Sequence, residues 1–543
     1  MAGDVRDQVR DALATQLAAR DPAPFDALPE ADALLERFDF ADDPDPAIDG
    51  YWVNEPYARV DLRRDAESGE IRYHVLEPTR SDFVSYVAED LRDVARRVLL
   101  DEEFENDDAG RAAFADRLDE VIARHASSAP PADRWIVRYY LRRDFLGYGR
   151  LDPFMSDPAV EDVSCDGADV PVYAYHRDHG HLASNRAWAA DVVDSLAIKL
   201  AQRAGRHLSA ASPLLTTTLP DGSRLQATLG GDVAARGSNF TVRKFREKPF
   251  TPPELAALGT FDARQLAYLW LAVAHNRSVL YVGPTGSGKT TSMNACAFFV
   301  PPGHKVVSIE ETREVNLPHD NWIAEVTRTA EDSEDRRAVS SYRLLSEALH
   351  QRPDHIIVGE LRVDPDVVRS FFQALGTGHE GFTTFHAESS TDAIRRLTHN
   401  PLDVPPDLLA DLDVIVTQRI VDEPDGVARR CWQISEVTPR DDSDRPDVRD
   451  VFHYDAETQG FEQRNPAQVP REIAVDRGWS GERLRTELDR RQRVIAALAE
   501  RETFDYETVA QRIFAFARDP ERALADLDVD DDNVQQPVRV SDA

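Results

Sequence analysis

An α/β fold with a parallel sheet is predicted for the middle of this 543-residue chain, on three observations. Helical and apolar-strand patterns alternate from Phe261 to about Arg419, which is typical of strands joined by crossover helices. A glycine-rich loop lies between an apolar strand, 278–282, and a helical segment, 291–299. Two later apolar strands, 306–309 and 356–358, each end in carboxylates.

The segments before residue 250 follow a different pattern. Acidic runs, such as 42–45 and 101–105, interrupt short apolar patches up to about residue 130. Helices are predicted over 82–100 and 132–147. From residue 151 to 245 short strands and turns predominate, and Asp221-Gly222 predicts a hairpin turn between strands at 214–219 and 225–229. We therefore expect an α+β domain after an acidic, partly helical N-terminal region.

Composition shifts set the predicted domain boundaries. The prolines of 246–253 suggest a linker, 439–450 is a polar acidic connector, and 481–498 has leucines at helical spacing that favour core packing. The predicted division is 1–130 (acidic region), 131–247 (α+β domain), 248–254 (linker), 255–440 (α/β domain), 441–525 (helical extension) and 526–543 (acidic disordered tail).

The charge balance limits the classes of partner. Asp plus Glu number 98 against 64 Lys plus Arg, a net charge of −34, and only five basic residues are lysine. An acid-rich binding protein is one interpretation. We favour adaptation to a high-salt cytoplasm, because salt screens self-repulsion and the composition resembles that of halophilic archaea. Such a surface does not favour nucleic acid, which needs clustered cations.

Targeting patterns indicate a cytoplasmic protein. No apolar run approaches the ~18 residues that span a bilayer, and the first ten residues contain no signal-peptide core. The chain is therefore expected to contact a membrane only from its inner face. Three distant cysteines, Cys165, Cys296 and Cys431, favour neither a disulfide scaffold nor a four-cysteine zinc site.

The loop at 283–290 fits the pattern GxxxxGK[ST] in full. Its glycines let backbone N–H groups surround phosphates, and the following helix adds the positive end of its dipole. Lys289 is expected to reach the β- and γ-phosphates and Thr290 to bind Mg²⁺. The predicted nucleotide-binding residues here are Gly283, Pro284, Thr285, Gly286, Ser287, Gly288, Lys289, Thr290 and Thr291. The pattern alone does not separate ATPases from GTPases and kinases.

Carboxylates follow two apolar strands after this loop, at Glu310-Glu311 and at Glu360. Ligands of open α/β sheets gather beyond the carboxyl ends of strands. Carboxylates there can hold Mg²⁺ and polarise an attacking water. Taken alone, each acidic strand end would be interpreted as a surface turn. Two such ends after a phosphate loop favour a hydrolytic site.

These segments resemble the type II/type IV secretion ATPases. The resemblance rests on an acidic box (307–314, then 317–319), a strand ending in a glutamate (352–362), a histidine box (376–387) and, upstream, 162–167, 171–176 and an arginine-bearing hairpin at 219–228. It covers about half of the chain, and these ATPases serve archaella, type IV pili and type II-like secretion.

The resemblance implies a homo-hexameric motor that binds ATP and Mg²⁺ between a PAS-like domain and a RecA-like domain and works on a polytopic membrane platform protein. Glu360 would orient or activate water, and Thr290, Glu310 and Glu360 would hold the metal. Further implied site residues are Glu310, Glu311, Arg313 and Glu314 near Mg²⁺ and the γ-phosphate; His379 and His386, which would sense the γ-phosphate or couple the site to a neighbour; Arg224, Arg236 and Arg243 as phosphate contacts; and Arg328 as a candidate arginine finger.

Two departures and two alternatives remain at this point. Many members have Glu-Asp where this chain has Glu310-Glu311, which leaves metal contact by Glu311 open, and the four-cysteine motif of bacterial pilus-extension members is missing. A RecA-like nucleic-acid motor would need a basic or aromatic path. A non-hydrolysing ATP-binding scaffold would not need Glu360. The acidic N-terminal region is a candidate adaptor to a specific platform protein.

Overall fold

The computed structural model describes residues 2–21, 23–40, 47–99, 108–231, 233–245, 248–328, 338–423, 426–438, 446–527 and 537–541. The acidic runs at 42–45 and 101–105 and the first part of the connector at 439–450 lie outside them. The chain forms two compact units, Met1–Phe245 and Arg246–Ala543. Each unit is described by itself.

The first unit has a nine-stranded sheet in the order β1-β2-β3-β6-β5-β4-β9-β8-β7. Its strands are β1 (Ala47–Asn54), β2 (Ala58–Arg64), β3 (Ile71–Leu76), β4 (Val160–Cys165), β5 (Pro171–His176), β6 (Gly180–Ala187), β7 (Leu214–Thr218), β8 (Arg224–Thr228) and β9 (Asn239–Arg243). Its helices are α1 (Ala2–Ala18), α2 (Ala31–Leu35), α3 (Asp82–Leu99), α4 (Asp108–His125), α5 (Pro131–Phe145), α6 (Asp152–Ser156) and α7 (Ala190–Arg203). The predicted helices at 82–100 and 132–147 and the hairpin at 214–229 are confirmed, each to within about two residues at either end.

The sheet crosses the boundary that we predicted at residue 130. Strand β3 pairs with β6 in parallel, so strands from residues 47–76 and 160–243 form one sheet. The side-chain amide of Asn185 extends this junction: it donates to the Val75 carbonyl (3.0 Å) and accepts from the Val75 N–H (2.9 Å). Tyr73, in β3, donates to Asp157 at 2.6 Å. The division at residue 130 is therefore a correction, because these long-range pairs join both sides of it.

The second unit has a nine-stranded sheet in the order β12-β11-β13-β14-β10-β15-β16-β17-β18. Its strands are β10 (Val279–Val282), β11 (Val306–Glu310), β12 (Trp322–Val326), β13 (His355–Leu361), β14 (Glu380–Phe385), β15 (Val414–Glu423), β16 (Gly426–Thr438), β17 (Asp447–Asp455) and β18 (Gly460–Gln463). Its helices are α8 (Pro252–Ala257), α9 (Ala263–Ala274), α10 (Lys289–Ala297), α11 (Ser341–His350), α12 (Pro365–Gly376), α13 (Ser390–Thr398), α14 (Pro406–Leu409), α15 (Val469–Arg477), α16 (Gly481–Glu500), α17 (Tyr506–Arg518) and α18 (Pro520–Ala525).

The first six strands of this order are parallel, which confirms the predicted parallel sheet. Fully buried strands explain the continuous apolar runs, because helices cover both faces. Apolar side chains form one core on each face, with α9, α10, α16 and α17 on one side and α11, α12 and α13 on the other. The carboxyl ends of the parallel strands lie at one edge of the sheet, and the candidate active site lies at that edge.

Three predicted boundaries of the second unit need correction. The linker at 248–254 includes the start of α8, whose first residues Pro252 and Pro253 are buried. The helical extension at 441–525 begins with two strands, because β17 and β18 continue the sheet antiparallel to β16. The disordered tail is wrong for residues 537–541: Val540 bridges Ala467, and Val538 is 5% exposed.

No helix in the described part of the chain is both long and apolar enough to cross a membrane. Helix α16 buries Leu484, Leu488, Ile495 and Leu498, so its leucine stripe packs in the core as predicted. The three cysteines are free thiols and all are buried.

Candidate active site

The phosphate loop joins β10 to α10 at the carboxyl edge of the second sheet. Gly288 has φ +90°, in the left-handed region that favours glycine. A Cβ on Gly283 would lie 2.4 Å from the main-chain oxygen of Gln418, so this position also requires glycine. Lys289 begins α10, is 7% exposed, and donates from Nζ to the Pro284 carbonyl at 2.8 Å. The loop and its lysine thus have the arrangement expected of a phosphate cradle.

Glu310 ends β11 at the same carboxyl edge, three strand positions from β10, and is 4% exposed. Its Oε1 accepts from the N–H groups of Glu314 (2.8 Å) and Val315 (2.9 Å). Its Oε2 is buried and has no hydrogen-bond partner among the described residues. Burial raises the pKa of this carboxyl to about 7. An orphaned buried carboxylate oxygen fits a divalent cation, which binds through one or two carboxylates plus substrate phosphates.

Glu360 and His386 meet at the same edge. Glu360 lies near the end of β13, and His386 directly follows β14. The two side chains contact at 2.8 Å, from Nε2 to Oε1. The pKa of His386 is lowered, first by burial and then by the positive charge of Lys289. The structure therefore brings together three predicted groups: the loop lysine, the water-activating candidate and the second histidine of the box.

The other histidine of the box, His379, lies away from this site. It directly precedes β14, whose six residues separate it from His386 by about 20 Å at ~3.3 Å per residue. It lies at the amino edge of the sheet, where Thr377 contacts its Nδ1 at 3.2 Å. The prediction that His379 senses the γ-phosphate is wrong for the site of its own chain, because a strand runs between the two histidines.

The remaining residues of the acidic box are close to Glu310 but differ in their contacts. Glu311 is exposed and pairs with Arg362 at 3.0 Å, so its carboxylate points to that guanidinium. Arg313 lies over the ring of Trp322, 5.4 Å from its centroid. Glu314 contributes main-chain groups: its carbonyl accepts from Asn294 of α10 at 3.1 Å. Arg328 follows the edge strand β12, four strand positions from β10, or about 19 Å at ~4.8 Å per strand.

Two of the three predicted arginines of the first unit lie side by side. Arg224 begins β8 and Arg243 ends β9, and they are direct cross-strand partners. Arg236 lies in the connection at the other end of this hairpin, about 17 Å away for five residues at ~3.4 Å each. There its main-chain carbonyl accepts from Ala168 at 3.2 Å. The geometry supports Arg224 and Arg243 as a pair and separates Arg236 from them.

Two arginines at the site were not predicted. Arg362 contacts Glu360 at 3.3 Å as well as Glu311, so it links two of the carboxylates. Arg429, on β16, donates from Nε to the main-chain oxygen of Gly286 at 2.9 Å. Arg362 stands two residues after Glu360 in the segment that carries the resemblance, which is a usable signal. No comparable sequence signal marks Arg429, because only the register of the β15–β16 hairpin brings it to the loop.

Comparisons with known proteins agree with this geometry. A family model described as type II/IV secretion system protein matches residues 176–473, and one described as PilB3-like, N-terminal, matches residues 10–79. The uncharacterized protein MJ0900 of Methanocaldococcus jannaschii is 37% identical over 392 residues, which cover 71% of this chain and 70% of that protein. The type IV secretion system protein PtlH of Bordetella pertussis is 30% identical over 270 residues, covering 46% of this chain and 78% of PtlH.

Solved structures with similar chains include the VirB11 ATPase from the Brucella suis type IV secretion system (24% identity, 52% of this chain and 94% of that chain, TM-score 0.27). The pilus retraction motor PilT with bound ADP is another (19% identity, 52% and 80%, TM-score 0.38). The first family model alone covers more than half of the chain. The chain therefore belongs to the type II/IV secretion system protein family and is a P-loop ATPase of that family, with its α/β motor unit at Arg246–Ala543.

Proposed function

We propose that this protein hydrolyses ATP in a Mg²⁺-dependent reaction and uses the energy to assemble a type IV pilus-like filament at the cytoplasmic face of the membrane. One observation carries the hydrolytic part: the phosphate loop, the orphaned oxygen of Glu310 and the Glu360–His386 pair lie at one sheet edge. A scaffold that only bound ATP would need the loop but not Glu360.

Each residue at this edge has a distinct chemical role. The N–H groups of the loop and the Lys289 ammonium bind the phosphates. Thr290 and Glu310 are the residues that would hold Mg²⁺, which supplies charge neutralisation for the phosphates when bound. Glu360 orients the attacking water and accepts its proton. His386, held against Glu360, lies where it can donate to the γ-phosphate once it turns from that carboxylate.

Assembly into a homo-hexamer would complete the site. The cross-strand pair Arg224 and Arg243 and the edge-strand Arg328 are the proposed sources of guanidinium groups that stabilise developing charge. A polytopic membrane platform protein is the proposed receiver of the mechanical work. The match of residues 10–79 to the PilB3-like N-terminal family and the similarity to the type IV secretion system protein PtlH support this part of the proposal.

The hydrolytic proposal is tested by measuring ATPase activity in molar KCl, with oligomeric mass recorded on the same samples. Lys289→Ala and Glu360→Gln should each lower turnover by at least about 100-fold, because they remove phosphate binding and water activation respectively. Glu347→Gln, an isosteric change at an exposed position of α11, is the matched control and should retain full turnover. Wild-type protein that binds ATP but hydrolyses none would refute the proposal.

The assembly proposal needs a cellular test. Chromosomal Glu360→Gln should abolish surface filaments while the protein remains at its normal abundance. The control is again Glu347→Gln, which should leave filament number unchanged. Normal filaments in the Glu360→Gln cells would separate this ATPase from filament assembly.

A further inference from the structure

The first unit contains a cavity of about 420 Å³ that no step of the ATPase reaction uses. Its wall comes from the segment after α1, the β1–β2 turn, α4, α5, the connection after α5, and α6. Five arginines line it: Arg20, Arg111, Arg138, Arg142 and Arg143. Such a concentration of guanidinium groups is unexpected in a chain whose net charge is −34.

The carboxylates around these arginines are shared between them. Asp119 accepts from both Arg138 (2.8 Å) and Arg142 (2.6 Å). Glu77 pairs with Arg143 and with Arg186, at 2.7 and 3.1 Å. Asp144 likewise pairs with Arg143 and Arg92. Since each of these carboxylates pairs with two arginines, the negative charges do not balance the positive charges of the arginines.

Two lining arginines bind only main-chain oxygens. Arg20 donates to the Glu55 carbonyl at 2.7 Å and Arg111 to the Leu146 carbonyl at 3.4 Å. Among the described residues, neither has a carboxylate within ion-pair distance. Arg92 and Arg186, which share these carboxylates, bring the number of arginines to seven. The carboxylates that line the cavity or pair with these arginines number five: Glu55, Glu77, Asp119, Asp144 and Asp152. The excess of about two positive charges matches one phosphate group.

A buried donor also faces this space. Tyr57 lines the cavity and is 5% exposed; its hydroxyl lies beside the Arg138 guanidinium, and the hydroxyl proton has no acceptor among the described residues. Burial raises the pKa of Tyr57 to about 12, so the hydroxyl keeps its proton. A buried unsatisfied hydroxyl is costly, and an anion accepting from it would remove that cost. The ring stacks on Tyr139 at 4.8 Å, which holds it in place.

We propose that this cavity, the arginine cavity, binds a phosphorylated small molecule of about mononucleotide size. Guanidinium forks match phosphate oxygens in geometry as well as charge. The volume lies within the roughly 300–1,000 Å³ typical of small-molecule sites. The phosphate accepts from Arg20, Arg111 and Tyr57, the three donors that lack an acidic partner.

The test is calorimetric titration of the full chain with pyrophosphate and with AMP. All proteins carry Lys289→Ala, so that the phosphate loop does not account for the binding. One ligand per chain is expected for at least one probe. Tyr57→Phe should weaken binding about tenfold, since a hydrogen bond to a charged group is lost. It should change the melting temperature of the free protein little, because the hydroxyl proton has no acceptor there to lose.

The arginine variants locate the bound anion. Arg20→Gln with Arg111→Gln should weaken binding by at least about tenfold, since two charge-assisted contacts are lost. Arg96→Gln with Arg124→Gln, two exposed arginines of α3 and α4, is the matched control and should change affinity by less than about twofold. Absence of binding by both probes at millimolar concentration, or binding indifferent to Tyr57 and to the Arg20/Arg111 pair, would overturn the proposal.

Discussion

Replacing Glu310 by glutamine should stabilise the nucleotide-free motor unit at alkaline pH and not at acidic pH. The carboxylate is 4% exposed, and its Oε2 has no partner among the described residues, so its ionised form is poorly compensated. Glutamine keeps an oxygen for the N–H groups of Glu314 and Val315 and has no charge. The variant therefore removes a destabilising charge while preserving the hydrogen bonds of the acidic box.

The size of the effect follows from the pKa. Burial raises the pKa of Glu310 from 4.5 to about 7, so the folded protein binds this proton more tightly than the unfolded chain. Stability thus falls as pH rises between these values and stays low above about pH 7. At ~1.4 kcal/mol per unit, the full loss is on the order of 3 kcal/mol. For a unit of this size that corresponds to roughly 5 °C in melting temperature.

Differential scanning calorimetry at about pH 5 and about pH 8 measures the predicted difference. The Glu310→Gln protein should melt on the order of 5 °C above wild type at the higher pH and within about 1 °C of it at the lower pH. Glu311→Gln is the matched control, because Glu311 is exposed and paired with Arg362. It should show no such pH-dependent gain.

Two results would refute this reasoning. A gain of equal size at both pH values would mean that the charge of Glu310 is not its cause. A loss of stability at about pH 8 would mean that the ionised carboxylate is compensated by contacts other than the two N–H groups. In either case the inference that Oε2 is held ready for a cation would fail with it.

Three further predictions concern other parts of the motor unit. Arg429→Gln, which removes the contact to the Gly286 carbonyl, should weaken binding of a fluorescent ATP analogue about fivefold; unchanged affinity would show that the hairpin does not support the loop. His386→Ala should lower turnover at least tenfold, and His379→Ala less than about twofold; equal losses in steady-state assays would contradict the separation by β14. A chain ending at residue 536 loses the buried Val538 and should unfold about 2 kcal/mol more easily in denaturant titrations.

Much of the fold was predictable because its determinants are local. The strands and helices of the motor unit are predicted from apolar runs, turns and the glycine-rich loop, each of which spans about ten residues or fewer. The junction of β3 with β6 does not, because it joins segments more than 100 residues apart through two parallel register pairs. Pairings of that separation leave no pattern in either segment, and the boundary at residue 130 was misplaced for this reason.

The site shows the same division. Lys289, Glu310 and Glu360 were predicted because each lies at the end of a strand or in the loop after it, at the edge where ligands gather. A shared role of His379 and His386 in one site does not follow from their short distance in sequence, because β14 separates them in space. Arg429 was missed because its position depends on the pairing of β15 with β16, which sequence spacing does not specify.

The amide of Asn185 has a consequence for how the N-terminal strands can vary between related proteins. It recognises Val75 only through the main-chain N–H and carbonyl, which every residue except proline presents. For this contact the requirement for a particular side chain therefore falls on Asn185 alone, whereas Tyr73, which donates to Asp157, sets a second requirement on the N-terminal side. The N-terminal strands can change their side chains at this point and still dock, whereas Asn185 has to stay. Because this contact is made to the main chain, N-terminal segments of different sequence, each specific for its own partner, can pair with the same sheet at this position.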